Sequence, residues 1–320
     1  MELNSQTMAN KGKKILKKQN RLNHIDELLA QKTIYSRAKN YQGLLIFITV
    51  LLPILVSILI KLDSNLIDQS NYIFALYLVL GAVGEKILEK VIDRLKNIAA
   101  SIQEQFDCDV LDIEKNETIN SMFIDKESIR RYSKKARKNT KLVEKVTDWY
   151  SLNLKAVKTN IASLLCQRTN ITYDFSIRSR YKNAILILTI LTFTVLLIIA
   201  FYNDLTLKTF LIEVILPSIP VIMFAYKEIN SNIESIDNLN HLRHLIESEL
   251  SGININSEID ETLLRKIQDR IYQNRILSPL IPDFIYYFVR TKLEDEMNYS
   301  VEAKLEILRT TKHIAKRSDG

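Results

Sequence analysis

Few side chains in this sequence are spaced for chemistry. His241, His244 and Glu247 follow at i, i+3 and i+6, which brings three metal-type ligands near one face of a helix. A metal site of that kind wants a further ligand and a supporting shell. The other two histidines, His24 and His313, stand at opposite ends of the chain. A solvated polar face is therefore the expectation, with no metal assigned. None of the patterns GxxxxGK(S/T), GxGxxG or GxSxG occurs, and 6 glycines leave little from which to build a phosphate-cradling loop. No catalytic residue is assigned, and an enzyme is not expected.

The densest charge lies in residues 130–141, RRYSKKARKNTK, with seven basic residues and no acid. Arg130, Arg131 and Arg137 supply planar forks for phosphate, and Tyr132 a ring on which a base can stack. The readings are three: anionic lipid headgroups, the phosphates of a nucleotide ligand, or a solvated helix face. Arg168, Arg178 and Arg180, with Tyr173 and Tyr181 close by, form a second group of the same composition. It surrounds a repeated motif. Residues 164–169 read LLCQRT and residues 28–33 read LLAQKT, each followed by a Tyr and several Arg or Lys. Duplication and coincidence both account for the match, since Leu, Ala, Gln and Lys are all good helix formers.

The elements that must position these groups are set by two apolar runs. Residues 43–60 (GLLIFITVLLPILVSILI) and 184–202 (AILILTILTFTVLLIIAFY) carry no charge. As helices they reach about 27 Å, close to the hydrocarbon thickness of a bilayer. Each has a weaker companion downstream. Residues 71–84 (NYIFALYLVLGAVG) make a full span only if their helix begins near Leu66, and residues 209–226 (TFLIEVILPSIPVIMFAY) are interrupted by Glu213, Pro217 and Pro220. The expected fold is an all-α membrane protein with four transmembrane helices in two hairpins.

Nine Lys and Arg between Lys11 and Lys39 precede the first run, whereas the two outer connections hold only Lys61 and Lys208. Positive charge marks the cytoplasmic side, so both termini and the middle segment are expected there. The polar start is not a cleavable signal, because the first apolar run is long and lacks a small-residue cleavage pattern. Cys108 and Cys166 are then expected as free thiols. The net charge of +7 suits segments facing an anionic leaflet, with no DNA or RNA partner needed.

Glu213 is ionisable inside a span, a functional hypothesis by default. A ring of Glu213 at an outer mouth would attract cations, and an interfacial carboxylate is the alternative. Pro53, Pro217 and Pro220 break the hydrogen-bond ladder of spans one and four, as gating elements or as packing irregularities. Thr189, Thr192 and Thr194 are either wetted or bonded to their own backbone.

The boundaries follow: an N-terminal cytoplasmic helix (1–42), a first hairpin (43–84), a cytoplasmic helical domain (85–183), a second hairpin (184–226) and a C-terminal helical region (227–320). Leu88, Val91, Leu95, Ile98, Ile102 and Phe106 recur at helical spacing, so span two is expected to continue inward as a stalk. Ile233, Ile236, Leu239, Leu242, Ile246 and Leu250 do the same for span four. Ser257 with Asp260 reads as a helix start, and Ser300 as the cap of a last short helix. The stretch SPLIPDFIYYFVR (278–290) is too short to span, and suits either a membrane interface or packing against the stalks.

Four segments taken together, KQNRLNHIDELLAQKTIYSRAK, SIQEQFDCDVL, LLCQRTNITYDFSIRSRYKN and KIQDRIYQNRILSPLIPDFIYYFVR, resemble the SMODS-associated four-transmembrane effector family. The resemblance implies a bacterial inner-membrane effector of antiphage defence, encoded beside a nucleotide cyclase and switched on by a cyclic oligonucleotide, with no other cofactor. It makes the two arginine groups candidate contacts for that ligand. On this reading the chain oligomerises and breaches the bilayer, with Glu213, Pro217, Pro220 and Pro53 as pore or gating residues. Gln31 and Gln167 would sit where stalks meet spans. A scaffold or sensor without a pore, or a small channel or transporter, are the alternatives. One departure stands out: where such proteins are expected to turn after QFD through a Gly-Leu-Pro-Trp-Asn-like sequence, this chain reads CDVLDIEKNET.

Overall fold

The computed structural model describes residues 12–52, 55, 67–202, 206–254 and 257–318, and among these the chain is all-helical without a strand. Pro53, the far end of the first apolar run and Leu66 lie outside the described residues. The helices are α1 (Lys13–Gln19), α2 (Leu22–Ile46), α3 (Ile67–Leu111), α4 (Lys126–Ala136), α5 (Thr140–Glu144), α6 (Thr159–Tyr202), α7 (Leu207–Phe210), α8 (Leu216–Ser251), α9 (Glu261–Leu277) and α10 (Asp283–Ser318).

Helices α3 and α6 have 45 and 44 residues. Each is about twice as long as a hydrocarbon layer is thick, so half of each must find another environment. In α6 the division is visible. Ile161, Leu164, Leu165, Cys166 and Ile171 are buried to 1% exposure or less, while Ile187, Leu188, Ile190, Leu191 and Ile198 are each more than half exposed. The first half packs inside a polar-shelled core. The second is apolar all round and bare, as a lipid-facing helix is, and α6 is long and apolar enough to cross a membrane.

The principal core joins α1, α2, α3, α6, α8, α9 and α10 around Phe106, Tyr150, Leu164, Leu242, Ile246 and Ile267. Each of these buried side chains contributes about 1.5–3 kcal/mol. Smaller clusters lie between α2, α3 and α4 (Ala30, Ile34, Ile102, Ile129) and between α6 and the start of α10 (Ile177, Tyr181, Ile281, Leu293). The two apolar stripes are helical as expected. All six apolar positions from Leu88 to Phe106 fall on α3, and those from Ile233 to Leu250 fall on α8.

Two π-helical turns lie beside prolines. One spans Phe47–Leu51 after α2, the other Leu211–Ile215 before α8. Each ends two residues before a proline, Pro53 in the first case and Pro217 in the second. A proline clashes with the carbonyl four residues earlier, and a wide turn ahead of it makes room. Glu213 lies within the second π-turn, and Pro220 lies inside α8. Thr189, Thr192 and Thr194 each donate to the carbonyl four residues back, at 2.8–2.9 Å, so the backbone reading holds.

Two helix-boundary expectations are corrected. Asp260 itself caps α9, accepting from the Thr262 amide at 2.9 Å, so the helix begins after it rather than at Ser257. Ser300 caps nothing: α10 runs straight through it. The departure after QFD has a local account. Helix α3 continues to Leu111 and ends with Asp112 at φ 62°, where the Ile113 amide reaches back to the Cys108 carbonyl at 3.0 Å. A left-handed aspartate stands where glycine is usual, clasped by Lys14 and Lys18 of α1.

Candidate functional site

A buried charged seam runs between α3 and α9. Glu104 and Asp107 are one turn apart on α3, 4% and 0% exposed. Arg265, Gln268 and Arg275 share the facing side of α9. Arg275 Nη2 is 2.7 Å from Asp107 Oδ2, and Arg265 Nη2 is 2.7 Å from Glu104 Oε1. Gln268 donates to Glu104 Oε2 at 2.7 Å. Tyr150 donates its hydroxyl to Asp107 Oδ1 at 2.7 Å. Burial works against the Arg275 charge, but the carboxylates of Asp107 and Glu104 outweigh it and raise its proton affinity. Gln167, fully buried, donates to the Leu264 carbonyl at 2.8 Å and to Gln268 Oε1 at 3.1 Å. The motif LLCQRT therefore belongs to this seam, deep in the core, rather than to the junction of stalk and span. Gln31 of LLAQKT is likewise nearly buried, on α2.

At its C-terminal end α9 delivers the chain into a short loop, residues 278–282, that touches α2, α3, α6 and α8. Lys96 of α3 donates to the Ser278 carbonyl at 3.4 Å, Arg178 of α6 to the Pro279 carbonyl at 3.1 Å, and Gln42 of α2 to the Leu280 carbonyl at 3.2 Å. The Ser278 hydroxyl donates to Ser235 of α8 at 2.7 Å. Pro279 and Pro282 have no amide hydrogen and keep the loop from joining a helix, which leaves its carbonyls free to accept. Lys39 of α2 pairs with Asp283 at the start of α10. Beside this collar, Tyr181 of α6 donates to Glu228 of α8 at 3.3 Å; burial pushes the Glu228 carboxyl up to about 7. The sequence signal near the loop is the aromatic run that follows it on α10, which says nothing of the loop's carbonyls.

The arginines singled out from sequence divide into two separate groups. Arg130 and Arg137 approach Asp26 of α2 at 3.7 and 3.2 Å, and Arg37 stacks over Tyr132 at 5.3 Å. Arg131, Lys134, Lys135 and Lys138 remain exposed, so α4 presents one basic face to solvent. Arg168 bonds Glu247 of α8 at 2.6 Å and Ser300 of α10 at 2.8 Å. Arg178 is buried in the collar, with Asp174 at 3.0 Å, and Arg180 pairs with Glu296 at 3.5 Å. The second group ties helices together.

The histidines show a similar division. His241 and His244 are exposed, while Glu247 is held by Arg168 and Lys304. His24, Glu27 and Asp109 converge instead, a cluster that the long stretch of sequence between Glu27 and Asp109 hides from sequence reading. Glu27 takes hydrogen bonds from His24 at 2.8 Å and Gln105 at 3.2 Å, and Asp109 pairs with Lys115 at 3.2 Å, so both carboxylates already have partners. Cys108 and Cys166 are buried free thiols, both pushed up by burial and so unreactive. The groove between α8 and α9 carries Glu249, Glu258 and Asp260 against Lys266, a poor cradle for phosphates.

Among the described residues the chain is all-helical, with a bare apolar helix rooted in an apolar core, charged struts at its centre and a loop joining four helices, an architecture suited to a membrane-associated protein. The chain belongs to the SMODS-associating 4TM effector domain family, whose model matches residues 13–304. It is similar to a Bacillus cereus (strain VD146) protein named "probable CBASS effector molecule", with 27% identity over 296 residues, covering 91% of this chain and 98% of the relative. No solved structure matches the chain.

Proposed function

We propose that this protein is an effector of bacterial antiphage defence that crosses the cytoplasmic membrane four times in two hairpins, with both termini inside. On a cyclic-oligonucleotide signal from a partner cyclase it assembles with copies of itself and permeabilises the bilayer. The observation that carries this reading is the collar: three consecutive carbonyls, of Ser278, Pro279 and Leu280, are each gripped by a different stalk, and the Ser278 hydroxyl grips the fourth. Helix α9 joins the collar to the charged seam, so a displacement of α9 reaches all four stalks at once.

The basic face of α4 is the place on the surface best suited to an anionic ligand. It rests on α2, itself continuous with the first apolar run, so binding there acts on a stalk directly. A ligand shifts an equilibrium only by its unequal affinity for the two states, so the open form must present this face better than the closed one. Glu213, Pro53, Pro217 and Pro220 are the proposed pore and gating residues.

Release of an encapsulated dye from liposomes holding the purified protein, with a panel of cyclic oligonucleotides added singly, tests the proposal. Leakage with one ligand supports it. Intact liposomes under every ligand, with the protein folded by circular dichroism, favour a scaffold or sensor without a pore.

A further inference from the structure

The stretch DFIYYFVR at the head of α10 divides its aromatic residues between two faces. Ile285, Tyr286 and Val289 turn inward against Ile177 and Tyr181, while Phe284, Tyr287 and Phe288 point outward with exposures of 59%, 83% and 78%. The outward three stand at i, i+3 and i+4, one contiguous patch. Bare aromatics of this size on a well-packed helix mark an interaction surface.

Three contacts fix the height of this patch along the molecule. The Leu280 carbonyl is bonded to Gln42, immediately before the first apolar run begins at Gly43. Asp283 is paired with Lys39, whose ammonium also lies 4.3 Å from the Tyr286 ring. Ile285 and Tyr286 pack beside Ile185, at the second residue of the third apolar run. The patch is thus level with the cytoplasmic ends of two spans. Tyr41 and Tyr226, also exposed, stand at the same ends of spans one and four, and such a belt is where rings with one apolar and one wet side collect.

We infer that Phe284, Tyr287 and Phe288 seat the collar on the phospholipid bilayer at the level of its headgroups and ester carbonyls. This rests on the membrane placement proposed above. The consequence is mechanical: the loop that grips four stalks is held at a fixed depth by the lipid itself, so α9 moves against an anchored collar.

Single-tryptophan variants in a Trp149→Phe background test this. Tyr287→Trp and Phe288→Trp report the patch, and Leu191→Trp reports the middle of span three. Each is reconstituted in phosphatidylcholine–phosphatidylglycerol vesicles carrying a nitroxide either near the ester carbonyls or near the chain ends. Quenching of the two patch probes is expected to be roughly twofold or more stronger with the shallow label, and that of Leu191→Trp stronger with the deep one. Patch probes silent to both labels while Leu191→Trp responds would overturn the inference and leave the spans standing; preferential deep quenching of the patch would overturn it equally. Silence at all three positions would remove the membrane placement, and this inference with it.

Discussion

Arg275 Nη2 and Asp107 Oδ2 lie 2.7 Å apart, Asp107 fully buried and the Arg275 side chain 11% exposed, and Glu104 and Arg265 repeat the arrangement along the same two helices. Buried charges are tolerated only when paired and hydrogen-bonded. The two pairs therefore fix the register of α9 on α3, because sliding α9 by one turn would separate both. Since α9 runs directly into the collar, that register sets the position of the loop against the stalks.

Asp107→Asn is expected to destabilise the protein by up to about 3–5 kcal/mol, because it takes from the largely buried Arg275 its close carboxylate and leaves only Glu104 at 3.9 Å. Asp107→Leu with Arg275→Met should recover most of that loss. Denaturant unfolding in detergent, followed by circular dichroism, measures both. A double variant as unstable as the single would mean that the pair does not act as a unit.

Gln42→Leu and Lys96→Met each remove one donor from a collar carbonyl. Each is expected to cost about 1–3 kcal/mol and to raise leakage from liposomes in the absence of ligand, since one stalk is released in each case. Basal leakage equal to that of the unaltered protein in both variants would uncouple the collar from opening.

Gln167→Ala removes hydrogen bonds to the Leu264 carbonyl and to Gln268. A loss of about 1–3 kcal/mol follows from leaving those acceptors unsatisfied in the core, together with weaker ligand-induced leakage at unchanged membrane insertion. Gln31→Ala, on the stalk that α4 covers, should also weaken leakage. Normal leakage in both would return the repeated motif to coincidence.

The long helices are legible in the sequence because each carries an unbroken apolar stripe, as from Leu88 to Phe106. The free thiols follow from the segment in which they lie. The seam is not legible. Arg265 and Glu104 stand 161 residues apart, and SIQEQFD reads locally like any polar helix face. Arg168, Arg178 and Arg180 look from composition like phosphate ligands, yet Arg168 and Arg178 are buried struts and all three are paired with carboxylates: Arg178 with Asp174 one turn back on its own helix, Arg168 and Arg180 with acids on α8 and α10 of which spacing says nothing. The collar escapes notice for another reason: its chemistry is in backbone carbonyls, which every residue carries.

Glu228 should make stability depend on pH. Burial raises its carboxyl from 4.5 to about 7, against the pull of the Tyr181 hydroxyl, Lys227, Arg178 and Lys96. Below pH 4.5 both folded and unfolded chains carry the proton and the group contributes nothing. As pH rises from there the unfolded chain loses its proton first, so stability falls, levelling off above about pH 7 with a penalty on the order of 3 kcal/mol. Thermal unfolding at a series of pH values should show this decline, and Glu228→Gln should flatten it.

The basic face of α4 separates binding from folding within a single helix. Arg130 and Arg131 are exposed, whereas Arg137 is held by Asp26 and by the Leu22 carbonyl at 3.4 Å. Arg130→Ala and Arg131→Ala should leave the unfolding midpoint in place and each weaken cyclic-oligonucleotide binding roughly tenfold, as loss of one charge-assisted phosphate contact does. Arg137→Ala should lower the midpoint as well. Calorimetric titration of the three variants with a ligand that triggers leakage decides the matter: unchanged affinity in Arg130→Ala and Arg131→Ala would make α4 a solvated face and place the ligand elsewhere.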